Sequence, residues 1–103
     1  MAIASGNTTT VSSVAASDWV ELARGVNRIY VSCGTWSTTS VAIQVSHDGS
    51  TVYPCENTSG AIVVTTTNKA FDVDGPGYIR MNCTIYAANA VTLLAANPID
   101  DRL

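Results

Sequence analysis

His47 is the only histidine in the chain, so proton transfer near neutral pH would have to centre on it or on the carboxylates. It stands directly before Asp48-Gly49, a pair suited to a hairpin turn of the I′ or bulged type, and is therefore expected to be solvated at the tip of that turn. A serine nucleophile activated by it would need a strained elbow of the GxSxG kind, which does not occur. Asp72-Val73-Asp74-Gly75 has the alternating carboxylates and glycine of a calcium loop, but not the remaining ligands or the distant bidentate glutamate. A polar turn closed by Gly75-Pro76-Gly77 is expected there. Asp100 and Asp101 form a second acidic pair, but hydrolytic carboxylates must be held apart on opposed walls. In a terminal segment the pair is expected to be solvated or to meet a basic residue on a partner. No catalytic residue, metal site or cofactor is expected, and the chain reads as non-enzymatic.

Cys33, Cys55 and Cys83 are odd in number and widely spaced, which fits neither a disulfide framework nor a metal knuckle. Cys33 and Cys83 each continue an apolar row and are expected to be small buried hydrophobes, with a bridge between them open if their strands pair. Binding chemistry is better supplied, with Trp19, Trp36, Tyr30, Tyr53, Tyr78 and Tyr86 as the candidate binding residues, since aromatics join a large apolar area to a polar handle. Trp36, in Gly34-Thr35-Trp36-Ser37, either presents an indole to a partner or folds over the end of the sheets. The row Tyr78, Arg80, Asn82, Thr84 and Tyr86 places two aromatics and a guanidinium on one strand face, either as a docking surface or as ordinary cross-strand ladders.

These residues are carried by strands. Ile29, Val31 and Cys33 alternate with Arg28, Tyr30 and Ser32, and Val41, Ile43 and Val45 alternate with Ala42, Gln44 and Ser46. Thr51-Val52-Tyr53 is expected as a return strand that Pro54 ends or marks as an edge. Ala61 to Thr65 and Lys69 to Val73 read as two more strands. Asp74-Gly75-Pro76-Gly77 is the strongest breaker in the chain. Beyond it, Ile79, Met81, Cys83 and Ile85 point inward, and Ala90 to Ala96 closes the set. With an early strand near Asp18 to Ala23 and another at Thr8 to Val14, this makes seven to eight short strands. No window carries a capped helical stripe, so the fold class is all-β, an antiparallel two-sheet β-sandwich or jelly roll. Residues 1–17 are expected to be an N-terminal arm or edge strand, 18–96 the sandwich domain and 97–103 a C-terminal tail. Ile3, Ile99, Asp100 and Asp101 in these ends would contact a neighbouring subunit.

With 103 residues the chain has room for one core. Its 47% hydrophobic content rules out disorder, while 13% charged residues leaves a surface of Thr, Ser, Asn and Ala suited to contact with other protein. The net charge of −3, with Arg24, Arg28, Lys69, Arg80 and Arg102 scattered singly, excludes nucleic acid and anionic membrane as partners. Met1 to Gly6 has no basic n-region or apolar h-region, so synthesis in the cytoplasm is expected, and the sequons at Asn7, Asn57 and Asn82 are read as products of composition.

The stretch from Val41 to Ser50, with its Gln44-x-Ser46-x-Asp48-Gly49 turn, resembles the small β-sandwich virion proteins of tailed bacteriophages. So do Asp74-Gly75-Pro76-Gly77 leading into Tyr78-Ile79-Arg80 and the Ala-rich segment from Ala87 to Ala96. The resemblance covers Arg28 to Pro98. It implies a structural virion component on the capsid exterior, a decoration or cement protein that binds the major capsid protein lattice. A symmetric oligomer is expected, with a trimer favoured by lattice symmetry. A neck or tail subunit is the nearby alternative, and the outward aromatics leave open a carbohydrate-binding module that attaches a particle to a host surface.

Overall fold

The computed structural model describes residue 3 and residues 6–96. Every regular element among them is a strand: β1 (Thr8–Val11), β2 (Val20–Cys33), β3 (Ser40–Ser46), β4 (Tyr53–Pro54), β5 (Glu56–Asn57), β6 (Gly60–Ala61), β7 (Val63–Val64), β8 (Lys69–Ile85) and β9 (Val91–Ala96). The main sheet runs β1-β9-β2-β8-β3-β4, with β7 also on β3, and β5 with β6 makes a two-stranded ribbon. All strand pairs are antiparallel.

The sheet is not flat. Val11 on β1 and Val64 on β7 stand at opposite ends of the strand order, yet both belong to one core with Ile29, Val31, Ile43, Met81 and Leu93. The sheet therefore curls over its own face in a sandwich-like arrangement. One layer is β1, β9 and the later part of β2 with the earlier part of β8; the other is the start of β2, the end of β8, β3, β4 and β7. Two long strands of 14 and 17 residues run through both layers, where short strands throughout were expected.

The expected break at Asp74-Gly75-Pro76-Gly77 is the main correction, because β8 passes straight through it. Opposite, the pairing goes from Leu22↔Gly77 to Gly25↔Gly75, so Ala23 and Arg24 face Pro76 alone. A proline has no N–H to offer a ladder, and a bulge in the partner strand is one of the few places where none is needed. The extra residue also changes the inward parity of β2, from Val20 and Leu22 before the bulge to Asn27, Ile29, Val31 and Cys33 after it. β8 keeps one parity throughout, from Phe71 and Val73 to Ile79, Met81 and Cys83.

Asn27 holds the bulge. It is 2% exposed, its Nδ2 donates to the carbonyls of Ala23 (2.9 Å) and Gly25 (3.1 Å), and its Oδ1 accepts from Ala23 N–H (3.1 Å). The side-chain amide, itself buried, thus takes the place of the strand partner that the bulge removes. Gly75 is needed for a different reason: a Cβ there would overlap the Ala23 carbonyl oxygen.

A second bulge ends the expected inward row early. Ser40 pairs with Ile85 but Val41 pairs with Cys83, leaving Thr84 as the extra residue. Ile85 is turned outward at 51% exposure, and Tyr86, expected on the outer face, packs against the core instead. Ala61 to Thr65 is likewise not one strand, being split between β6 and β7.

Candidate functional site

The loop after β3 does not form the I′ turn, since Gly49 has a φ of 79° but Asp48 is not in the left-handed region. It is a longer loop wound around Asp48. The Asp48 Oδ1 accepts from the N–H groups of Ser50 and Thr51, both at 2.8 Å, and Oδ2 accepts from the Thr51 hydroxyl at 3.1 Å. Ser46, which alternates with the apolar row of Val41, Ile43 and Val45, is buried, and its hydroxyl accepts from Gly49 N–H (2.8 Å) while donating to Asp48 Oδ1 (3.0 Å). Hydrogen bonds from the Thr51 and Ser50 backbone hold the Asp48 carboxyl well below its ordinary pKa.

This loop sets His47 and Tyr53 side by side, ring centroids 5.8 Å apart and planes tilted by 39°. Both are exposed, and His47 Nε2 lies 4.0 Å from Asp48 Oδ2. They rim an open cleft of about 420 Å3. One part of its lining comes from His47 and the segment Tyr53 to Glu56, the other from β8 around its bulge contact, including Val73, Asp74, Pro76 and Tyr78. Leu22 and Val45 add apolar surface, and among the described residues no Lys or Arg lines it. The volume lies within the roughly 300–1,000 Å3 common to small-ligand sites.

The predicted site residues are dispersed. Trp36 is buried at 6% exposure, its Nε1 donating to Asn68 Oδ1 at 2.9 Å, so it takes the place over the end of the layers rather than at a surface. Arg80 lies 4.3 Å above the ring of Trp19, itself only 4% exposed, and its Nε donates to Gln44 Oε1 at 2.8 Å. Its guanidinium is thus engaged within the chain. Tyr78 alone of the row reaches the cleft, whereas the Tyr86 hydroxyl donates to the Ala88 carbonyl at 2.8 Å. Ile3 forms a parallel bridge to Trp19 and is 44% exposed. Ile99, Asp100 and Asp101 lie outside the described residues.

A second surface gathers around Tyr30, one of the candidate binding aromatics. On the outer side of the β1-β9-β2-β8 layer, the register sets Thr8, Leu94, Tyr30 and Ala70 in one row across four strands, with Thr10, Thr92 and Ser32 beside it and Ala96, Arg28 and Asp72 on the other flank. Tyr30 is 45% exposed at the centre. The only charges in these rows, Arg28 and Asp72, pair with each other. The alternation of β2 pointed to Tyr30 as outward, but its apolar neighbours come from β8 and β9 and are visible only through the register.

The three cysteines are buried and free, Cys33 and Cys83 included. Burial pushes the Cys83 and Cys55 thiols above their ordinary pKa, with Glu56 adding to the effect on Cys55, which keeps them in the unreactive form. Comparison with protein-family models, with curated proteins and with solved structures finds no match to this chain.

Proposed function

We propose that this chain is a non-enzymatic structural protein of a phage virion, a decoration protein that binds the outer surface of the capsid lattice and stabilises it. The observation that supports this is the Tyr30 face: an outer sheet surface whose single ion pair is formed within it, with Leu94, Ala70 and Ala96 around an exposed aromatic. Surfaces poor in unpaired charge and centred on an aromatic resemble the cores of protein interfaces. Binding there adds stability to a shell by mass action, without a chemical step. Lattice symmetry favours a trimer.

The test is co-sedimentation of the purified protein with capsids that lack it, together with sedimentation velocity of the protein alone. Saturable binding at micromolar concentration that Tyr30→Glu abolishes, with an unchanged melting temperature, is the expected result. No binding, combined with absence of the chain from virions by mass spectrometry, overturns the proposal.

A further inference from the structure

The cleft beside the Asp48 loop shares no residue with the rows of the Tyr30 face. We infer that it is a binding site for a neutral saccharide. Three features of its lining lead there. Tyr53, 46% exposed, and His47 offer ring faces at the rim, and Tyr78 adds a third aromatic. Rings of this kind stack on the C–H faces of pyranoses, which are apolar on one side and polar at the edge. Glu56 and Asp74 supply exposed carboxylates, which accept hydrogen bonds from the hydroxyls that a sugar presents at its edge.

Among the described residues no Lys or Arg lines the cleft, so they offer none of the partners that a phosphate, sulfate or uronate would require, and the lining suits an uncharged ligand better than an acidic one. A quaternary ammonium group fits less well, since its recognition depends on ring faces that enclose the charge, whereas His47 and Tyr53 are tilted to each other at an open rim.

The site is also set in place before any ligand arrives. Four hydrogen bonds to the Asp48 carboxylate, from Ser46, Ser50 and twice from Thr51, fix the loop that carries His47 and leads to Tyr53. On the other side, Asn27 fixes the bulge opposite Pro76. Groups held in this way lose little freedom when a ligand docks, which is how a shallow cleft retains useful affinity. On a particle surface many weak copies would act together.

The experiment is titration of the 15N-labelled full chain with cellotriose, maltotriose, mannotriose and chitotriose at millimolar concentrations, followed by amide chemical shifts. Saturable shifts confined to His47, Tyr53, Glu56 and Tyr78 with at least one of these sugars are expected. Tyr53→Ala weakens binding by about ten-fold or more, the loss of one stacking ring. Tyr30→Ala, on the other face, leaves saccharide binding unchanged. Should Tyr53→Ala fail to fold, Glu56→Gln, an exposed isosteric change, carries the same expectation of weakened binding. Shifts with none of the four sugars, shifts mapping elsewhere, or a cleft that answers only to a lysine-rich peptide or tetramethylammonium overturns the inference. Capsid co-sedimentation of Tyr53→Ala separates the two proposals, since loss of sugar binding leaves lattice binding intact.

Discussion

At the scale of single residues, one polar side chain buried in the sheet, Asn27, holds the β2 bulge beside an otherwise apolar core. Asn27 supplies hydrogen bonds to both the N–H and the carbonyl of Ala23. Asn27→Ala removes these hydrogen bonds and a buried side chain from a part-buried site, and the expected cost is about 1–3 kcal/mol. Urea denaturation would register it as a lower midpoint at unchanged slope. Asp48 gives a pH-dependent counterpart. Its folded pKa lies well below the ordinary 3.8, so its contribution is complete above that value, where the carboxylate is ionised in both states. As pH falls below about 3.8, the unfolded chain takes up the proton first, and stability declines progressively toward the lower folded pKa. Melting curves between pH 5 and pH 2 should slope less steeply for Asp48→Asn than for the parent protein, and equal slopes would show that Asp48 does not carry the dependence.

The decisive relation at the scale of elements is that between β2 and β8. Gly75 faces Gly25 beside the bulge, and a side chain at Gly75 collides with the Ala23 backbone, which has little freedom to retreat because Asn27 grips it. Gly75→Ala is therefore expected to cost more than about 4 kcal/mol, the range reserved for backbone collisions and broken cores. Soluble yield and thermal unfolding would measure it, and a near-normal melt would mean that the bulge can relax. The same pair of strands marks the limit of what the chain reveals before folding. Alternation alone exposed the inward rows of Ile29, Val31 and Cys33 and of Ile79, Met81 and Cys83, because each lies in uninterrupted strand. Asp74-Gly75-Pro76-Gly77 reads locally as a stop; what allows β8 to continue is a spare residue at Ala23 and Arg24, some fifty positions earlier. The cleft was hidden for the same reason. His47, Tyr53, Asp74 and Tyr78 have no common spacing and meet only through strand register. Trp36, by contrast, was open to two readings because nothing adjacent to it announces Asn68 as its partner.

For the molecule as a whole, two long strands shared by both layers imply one cooperative unit. Leu93 on β9 and Met81 on β8 are both fully buried in the same core although they sit in different layers. Leu93→Ala and Met81→Ala should each lower stability by about 2–5 kcal/mol and do so in a single two-state transition. Tryptophan fluorescence and far-ultraviolet circular dichroism would give coincident curves; separated curves would mean that the layers melt independently. The strand order also has a consequence for the timing of biosynthesis. β9, the last strand in the described chain, is inserted between the first two, with Thr8 to Val11 on one side and Arg28 to Cys33 on the other. Until residue 96 has left the ribosome, β1 has nothing to pair with and the flank of β2 is open. A nascent chain arrested before β9 should thus be degraded by protease, and one arrested with β9 fully emerged should resist it. The polypeptide must wait for β9 before β1 has a place.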